Sequence, residues 1–405
     1  MAALRPFRAL RPTPDVAPLV AAVPYDVVTS HEARHLATGN PLSFLHVSRP
    51  EIDLPIGTDP HADRAYAEAA TNFESLKRRA PLVLEASPSL YVYRLTMGSH
   101  VQTGVAGTFE LEDYDRGVIK KHEHTRRDKE DDRTRHMLEI GAQTGPVFLT
   151  YRGTRSVNEV VDRTTDAAPL FDFVAPDDVR HTVWVVANAD VSALLRAFGN
   201  VSDLYIADGH HRAASAARAR NRLRGANGAA GPWDLFLAVA FPHDQVRILP
   251  YNRVVKDLAG HTPDTFLATL RSKFQVEQRN GTVTRRGDVG MFLEGHWYRL
   301  ELGPPDESLS RSNRLDVSRL QAEVLTPILG IGDIRSDARI EFVGGVRGTG
   351  ELELLVRQGR AAVAFAMYPV SIADLMAVCD AGGILPPKST WFEPKLRDGL
   401  LSHVM

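Results

Sequence analysis

The spacing of apolar residues predicts two helices near the start of the chain. Within residues 62–76, apolar positions recur at steps of three and four residues, which places them on one face of a helix. Thr29 or Ser30 can cap a shorter helix that runs to about residue 38 and is closed by Gly39. The first part of the chain is therefore expected to contain amphipathic helices.

The middle of the chain predicts an alternation of strands and helices. The predicted order is strand 183–187, helix 190–198, strand 204–207, helix 211–224 and strand 236–241. Such an alternation is typical of an α/β unit.

The remaining segments predict further strands and helices. Short runs of β-branched and aromatic residues predict strands at 90–95, 104–109 and 146–151. Later in the chain we expect helices at 262–274 and 316–328. A last hairpin is expected from the segments 339–356 and 361–367. The predicted fold class is α+β, that is, mixed α/β. The predicted domains are a core at 1–250, with a charged segment inserted at 113–145, and an α+β domain at 251–405.

Composition and charge narrow the class of partner. The chain has 405 residues, 43% hydrophobic and 24% charged, with a net charge of -2, so it lacks the basic surplus of a nucleic-acid binder. Cys379 is the only cysteine, which excludes an intramolecular disulfide and fits the cytoplasm. No segment reaches the roughly 20 apolar residues that span a bilayer. We expect small-molecule partners, and neither nucleic acid nor membrane.

One segment combines several phosphate-binding features. The predicted strand at 204–207 passes through Asp208 and Gly209 directly into an alanine-rich helix. The first turn of a helix presents unpaired N–H groups and the positive end of the helix dipole, which suit a phosphate. His210, His211 and Arg212 add side-chain donors at the same place. We therefore predict nucleotide phosphate binding from Asp208 to Arg212.

Two simpler interpretations of this turn stay open. Its polar residues can merely cap the helix and face water, although one polar residue would be enough for a cap. The paired histidines His210 and His211 can also suggest a metal site. Adjacent residues on a helix point about 100° apart, however, so they rarely bind one ion together.

The turn is similar to the phosphate-binding box of the ParB and sulfiredoxin-like superfamily, in which a glycine and an arginine at a helix start hold nucleotide phosphates. Over nearly its whole length the chain also resembles the domain-of-unknown-function 1015 family. The motifs that carry this resemblance are RPFRALRP at 5–12, PYDVV at 24–28, GNP at 39–41, KHE at 121–123, DR at 132–133 and PPKSTWFEPK at 386–395.

The resemblance implies a function and a fold. Members of this family and relatives with the same phosphate box are associated with phosphorylation of free L-serine by ATP or ADP. The resemblance therefore implies a small-molecule kinase with a ParB/sulfiredoxin-like core. It also implies Mg²⁺ as the metal and ATP, ADP or pyrophosphate as the phosphate donor. The alternative is a nucleotide-binding regulatory or switch protein without kinase activity. Sulfiredoxin-like repair is disfavoured, because it needs a cysteine where His210 stands.

The charged segment at 113–145 supplies candidates for catalysis. Lys121, His122 and Glu123 follow a short apolar stretch that can anchor one end of the run. Glu123 can accept the proton of a substrate hydroxyl, and His122 or Lys121 can face the transferred phosphate. In the kinases that the chain resembles, a glutamate is thought to be the base. For most of residues 127–135 a solvated, salt-bridged helix is the favoured interpretation, and Arg133 is the exception.

Substrate contacts are predicted at four further positions. Arg133 can clamp a carboxylate or phosphate. Asp26 can contact the substrate or Mg²⁺, although a helix cap explains Asp26 equally well. Asn40 and Ser43 lie in a turn and can hydrogen-bond an amino acid, although turn chemistry alone explains Asn40. The sequence assigns no metal ligands.

Overall fold

A computed structural model describes residues 3–80, 82–225 and 228–405. By its internal contacts the chain forms two compact units. Unit 1 comprises Met1–Lys121, Thr125–Val246 and Pro394–Met405, and unit 2 comprises His122–His124 and Arg247–Glu393. The predicted division into domains 1–250 and 251–405 stays a prediction.

The described residues form thirteen α-helices. These are α1 Ala17–Val20, α2 Ser30–Ala37, α3 Leu45–Ser48, α4 Asp63–Arg79, α5 Leu111–Asp115, α6 Arg127–Ile140, α7 Arg155–Thr165, α8 Asn188–Phe198, α9 His210–Leu223, α10 Pro263–Arg271, α11 Asp316–Leu320, α12 Gly348–Arg357 and α13 Ile372–Asp380. No helix in the described ranges is long and apolar enough to cross a membrane.

The described residues also form twenty-one strands. These are β1 Leu4–Arg5, β2 Ala9–Arg11, β3 Val83–Leu84, β4 Tyr91–Met97, β5 His100–Glu110, β6 Ile119–Lys120, β7 Ala142–Gln143, β8 Val147–Tyr151, β9 Phe171–Val174, β10 Arg180–Val185, β11 Leu204–Asp208, β12 Leu235–Pro242, β13 Arg247–Leu249, β14 Tyr251–Val255, β15 Gln275–Gln278, β16 Asp288–Leu293, β17 His296–Glu301, β18 Ile340–Gly344, β19 Val363–Ala366, β20 Trp391–Glu393 and β21 Ser402–Val404.

Unit 1 is built on a nine-stranded mixed sheet. The strand order is β6-β11-β8-β12-β5-β4-β10-β9, and β1 also pairs with β5. β8 runs parallel to β12 and antiparallel to β11. Strands β8 and β12 are buried along almost their whole length, as expected for a sheet covered on both faces. Burial of these apolar strands holds the carboxyl end of β11 in a fixed position.

A smaller four-stranded sheet in unit 1 ties the end of the chain to its beginning. The strand order is β3-β2-β21-β7, and β21 pairs antiparallel with both β2 and β7. Asp398 and Ala22 also exchange two backbone hydrogen bonds of 2.9 and 3.2 Å. The last residues of the chain are therefore an integral part of unit 1.

Unit 2 contains a six-stranded antiparallel sheet with the order β15-β17-β16-β19-β14-β18. A two-stranded ribbon joins β13 to β20. Helix α12 packs its buried residues Leu352 and Leu355 on this sheet.

Most of the predicted elements are confirmed, with small shifts of their ends. The helix predicted at 316–328 is shorter, because α11 ends at Leu320 and a π-helical turn continues only to Leu325. Helix α2 begins with a capping box, in which Thr29 and Glu32 bond to each other's backbone. Helix α4 buries the predicted apolar face. The hairpin predicted at 339–367 is wrong, because β18 and β19 each pair with β14 and helix α12 lies between them in sequence. The predicted mixed α/β fold class is confirmed.

Candidate phosphate-binding site

The predicted phosphate turn joins β11 to α9 through one glycine. Gly209 has φ +95°, a left-handed backbone conformation that residues other than glycine rarely adopt. A Cβ at this position would lie 2.9 Å from Nε of Arg212. Gly209 is therefore required twice, for the sharp turn and for the space that the guanidinium occupies.

The alanines of α9 allow the helix to pack closely. Ala213, Ala216 and Ala217 belong to the main apolar core of unit 1. On its other side α9 packs against α6, where the hydroxyl of Ser215 donates to the carbonyl of Glu130 at 3.2 Å. Small side chains bring the helix close to its neighbours and fix where its first turn lies.

The first turn of α9 has no side-chain cap. The N-cap is Gly209, and the first intrahelical bond runs from the Ala213 N–H to the Gly209 carbonyl at 3.0 Å. The N–H groups of the residues between them have no acceptor in the helix itself. These groups and the helix dipole together form a seat for an anion.

Asp208 and Arg212 bracket this turn and form an ion pair. Nη2 of Arg212 donates to Oδ2 of Asp208 at 2.8 Å, and Nζ of Lys395 lies 3.7 Å from the same oxygen. Burial by itself would raise the pKa of Asp208, but Lys395, Arg212 and His210 outweigh it and hold that pKa below its ordinary value. Asp208 is therefore a carboxylate at neutral pH.

Arg212 is more deeply buried than the sequence alone indicates, with only 5% of its surface exposed. Its Nη1 donates to the Pro146 carbonyl. Burial would lower the pKa of Arg212, but the carboxylates of Asp208, Asp26 and Asp398 raise it above its ordinary value. The guanidinium thus stays charged and anchors the turn to neighbouring segments.

Arg133 lies in the same charged cluster. Its Nε donates to Oδ2 of Asp132 at 2.8 Å, and its Cζ lies 4.3 Å from the ring centroid of Tyr25. Burial raises the pKa of Tyr25, helped by Asp26 and opposed by Arg133 and Arg212. The structure therefore brings three of the predicted residues, Asp26, Arg133 and Arg212, into one electrostatic group.

Asn40 and Ser43 are placed differently. The side chain of Asn40 donates to the Leu19 carbonyl at 2.8 Å and accepts from the Leu42 N–H at 3.1 Å, as in an Asx turn. Ser43 lines a different pocket, together with His46 and other polar residues. A role for Asn40 and Ser43 in substrate binding stays a prediction.

The three predicted catalytic residues are divided between the units. Lys121 belongs to unit 1, and its Nζ lies 4.0 Å from the ring centroid of Tyr114. His122 and Glu123 belong to unit 2. In unit 2 the backbone carbonyl of His122 accepts from the Leu385 N–H at 2.8 Å. Nε2 of the His122 side chain lies 3.3 Å from Oγ1 of Thr390. Their catalytic roles stay a prediction.

The charged run that follows them is a helix with ion pairs along it, as its alternating signs suggest. Arg135 pairs with Asp63 at 2.8 Å, and Arg218 pairs with both Glu130 and Asp131. Arg133 differs from Arg135 and Arg218, because its side chain is only 11% exposed.

The sequence interpretation missed two residues of this cluster, Lys395 and Asp398. Both lie in the segment Pro394–Met405, which packs within unit 1. Lys395 stands in the motif at 386–395, so the sequence marked it as a notable residue but did not place it near the phosphate turn. Asp398 carries no local signal.

The turn itself does not offer a ligand set for the expected Mg²⁺. Its one carboxylate, on Asp208, already contacts two cations, Arg212 and Lys395. Mg²⁺ prefers one or two carboxylates that are free to coordinate it. The requirement for Mg²⁺ stays a prediction.

Solved structures with a weak similarity include a free serine kinase in complex with AMP. It is 13% identical, covering 73% of this chain and 92% of its own, with a TM-score of 0.34. A conserved hypothetical protein from Pyrococcus furiosus is 14% identical over 73% of this chain and 94% of its own, with a TM-score of 0.34. SbnI with a C-terminal truncation, from Staphylococcus aureus, is 12% identical over 72% and 85%, with a TM-score of 0.38.

No curated protein matches the chain in sequence. A family model described as "Protein of unknown function (DUF1015)" matches residues 4–318, more than half of the chain. This match confirms the resemblance inferred from the motifs. The chain therefore belongs to the DUF1015 family.

Proposed function

We propose that this protein is a phosphotransferase that holds nucleotide phosphates at the turn from Asp208 to Arg212. The observation that carries the proposal is the first turn of α9, which follows a left-handed glycine and has no side-chain cap. Backbone N–H groups in this arrangement bind phosphate oxygens. A merely structural helix start with a polar cap would leave no such seat.

The charges around the turn support the same function. Arg212 is held in place by Asp208, and Lys395 lies beside the same carboxylate. Entry of a phosphate would bring negative charge to a place where Lys395 and the helix dipole can balance it. We expect Arg212 to act mainly by fixing the turn, and Lys395 to respond to the phosphate.

The proposed reaction transfers a phosphoryl group to the hydroxyl of a small metabolite, with L-serine as the first candidate. L-Serine is the acceptor that the family resemblance implies, and ATP or ADP is the expected donor. A bond forms between the hydroxyl oxygen and the terminal phosphorus, the phosphoanhydride bond breaks, and Glu123 takes the hydroxyl proton. Mg²⁺, when bound, would neutralise charge on the phosphates.

The test is direct conversion of L-serine. Purified protein with Mg²⁺ and ATP or ADP is expected to produce O-phosphoserine, measured by ³¹P NMR, while L-alanine, which lacks the hydroxyl, gives no product. Glu123→Gln is expected to lower the rate at least tenfold, since a positioned general base is worth about 10²-fold or more. Arg212→Ala is also expected to lower the rate at least tenfold, because it removes the cation that fixes the phosphate turn. Glu139→Gln, an exposed acid on α6, serves as the control for Glu123→Gln.

The outcomes separate the two candidate functions. Absence of nucleotide binding in calorimetry, with ATP, ADP and pyrophosphate all tested, would overturn the phosphate site itself. Binding of nucleotide without phosphorylation of any hydroxylated amino acid or sugar alcohol would instead favour a nucleotide-dependent regulatory protein.

A further inference from the structure

A small cavity of about 30 Å³ lies within unit 1 beside the charged cluster. Its lining includes Ser48, Arg133, Gly145, Arg212 and Asp398. A volume near 30 Å³ holds one or two oxygen-sized groups. The cavity can therefore take the polar end of a small molecule but not a whole metabolite.

Three residues that line this cavity each carry a buried polar atom without a hydrogen-bond partner in the described part of the chain. These atoms are Oδ1 of Asp398, Oγ of Ser48 and Nε of Arg212. The three residues are 3%, 2% and 5% exposed. Buried polar groups are almost always hydrogen-bonded, so three such atoms around one cavity point to a bound group.

The glycine beside Asp398 is required by the same arrangement. A Cβ on Gly145 would lie 2.6 Å from Oδ1 of Asp398. Any larger residue at this position would push the carboxyl group away. The cavity wall is thus shaped around the Asp398 side chain.

Two cations and one acid face the cavity. Arg133 and Arg212 bring two guanidinium groups from α6 and α9, and each also pairs with a carboxylate outside the lining, Asp132 and Asp208 respectively. His136, also on α6, is neutral because burial and Arg133 lower its pKa to about 4. Burial raises the pKa of Asp398 to about 7, which Asp26 supports and Arg212, Arg133 and Arg397 oppose. Asp398 can therefore hold a proton near neutral pH and donate a hydrogen bond.

We propose that this cavity binds the carboxylate of a small organic acid, with Arg212, Arg133 and Ser48 as donors and a proton shared between that carboxylate and Asp398. A planar carboxylate fits the small volume better than a tetrahedral phosphate. When Asp398 is ionised beforehand, binding takes up one proton from solvent. The proposal shares Arg133 and Arg212 with the site described above, but its test involves neither nucleotide nor Glu123, so its failure and the failure of phosphoryl transfer are distinguishable.

Calorimetry on the full chain with sodium acetate and sodium formate tests the site. Acetate is ionised at both pH 6 and pH 9, so any change in affinity reports on the protein. We expect the affinity to be at least tenfold higher at pH 6, since Asp398 loses its proton in between. The binding enthalpy is also measured in paired buffers of different ionisation enthalpy, since its difference gives the number of protons taken up on binding. We expect about one proton per bound acetate at pH 8 to 9 and almost none at pH 6.

Variants assign the effect to the cavity. Asp398→Asn, which stays neutral, is expected to bind acetate equally at both pH values and without proton uptake. Ser48→Ala is expected to weaken binding at both pH values and to keep their ratio. The matched control is Asp113→Asn, a buried acid of unit 1 that accepts from the Ala3 N–H, and it should behave as the wild type.

The proposal would be overturned by the absence of acetate binding at pH 6, by a pH ratio that survives in Asp398→Asn, or by the absence of proton uptake by the wild type at pH 8. The last measurement needs no variant, so a misfolded Asp398→Asn does not remove the test. Displacement of acetate by inorganic phosphate, with the same pH dependence, would show that the cavity accepts tetrahedral anions and would overturn the carboxylate assignment.

Discussion

Arg212 and Arg253 are both almost completely buried, and their surroundings are opposite. Arg212 in unit 1 is surrounded by the carboxylates of Asp208, Asp26 and Asp398, and its pKa is raised. Arg253 in unit 2 donates to the carbonyls of Tyr251 and Lys388. Burial lowers the pKa of Arg253 to about 10, with only Tyr251 opposing the shift.

The difference separates an electrostatic role from a structural one. A buried charge is stable when opposite charges and hydrogen bonds replace the water it has lost. Arg212 meets this condition with acids from several segments, beside a turn built to receive an anion. Arg253 holds two backbone carbonyls together, and one of these belongs to Lys388, a non-glycine residue with φ +58°. The charge of Arg212 should therefore matter far more than that of Arg253.

The largest effect is expected from Arg212→Met, which keeps the bulk of the side chain but removes its charge. Loss of one partner of a buried ion pair leaves the carboxylates uncompensated, which typically lowers the free energy of unfolding by about 3 to 5 kcal/mol. Arg253→Met should lower it by only about 1 to 2 kcal/mol, since two hydrogen bonds are lost. Urea denaturation measures both. Equal losses would contradict the distinction between the two arginines.

The carboxylates around Arg212 predict a pH dependence that Arg253 does not have. Asp398 has a pKa of about 7 in the folded protein, against about 3.9 for an unfolded chain. The folded state therefore binds more protons between these values, and the stability that this group contributes is lost as the pH rises through 7. Relative to Asp398→Asn, the wild type should lose about 2 to 3 kcal/mol between pH 5 and pH 8.

Denaturant titrations at pH 5 and pH 8 test this dependence. Asp113→Asn controls for the loss of a buried carboxyl group elsewhere in unit 1. A stability difference between the wild type and Asp398→Asn that is constant with pH would show that the carboxyl group is not protonated in the folded state near neutral pH.

The glycine that accommodates the Arg212 guanidinium gives a third test. Gly209→Ala places a side chain at φ +95° and 2.9 Å from Nε of Arg212, so we expect a loss of about 1 to 3 kcal/mol and at least tenfold weaker nucleotide binding. Gly199→Ala is the matched control, because Gly199 has φ -58° and the nearest atoms to its Cβ would lie at 3.4 Å. Comparable losses in the two variants would rule out a special geometry at Gly209.

The turn could be predicted from the sequence because its signals are local. An apolar strand, one glycine and an alanine-rich helix stand next to each other at residues 204–224, and the structure places β11 and α9 there. The hairpin at 339–367 failed because Leu352 and Leu355 lie three residues apart on a helix face, within a segment whose composition also suits a strand.

The partners of the turn could not be predicted, since they come from distant parts of the chain. Lys395 and Asp398 reach the cluster because the segment Pro394–Met405 packs within unit 1, where Asp398 bonds to Ala22 and β21 pairs with β2 and β7. A solvated helix was the favoured interpretation for most of residues 127–135, and it describes the first turns of α6. The burial of Arg133 depends on the packing of Asp132 and Tyr25 around it. Tertiary contacts of this kind leave no periodic trace in the sequence.

The smallest expected effect concerns Lys395, the second cation beside Asp208. Its Nζ lies 3.7 Å from the carboxylate, longer than a hydrogen bond, and its side chain is 11% exposed. Because Arg212 still compensates Asp208 in the variant, Lys395→Met should lower the free energy of unfolding by less than Arg212→Met does. It should weaken nucleotide binding about five- to tenfold, because one cation near the phosphates is lost.

The salt dependence of binding identifies the cause of that loss. Screening by salt should weaken nucleotide binding to the wild type more than to Lys395→Met, since the variant has one fewer charge to screen. Lys77→Met, at an exposed ion pair with Glu74, is the matched control and should leave affinity unchanged. A Lys395→Met variant with wild-type affinity would leave the helix N-terminus and Arg212 as the whole phosphate site. A variant as unstable as Arg212→Met would instead make Lys395 part of the buried charge network that distinguishes Arg212 from Arg253.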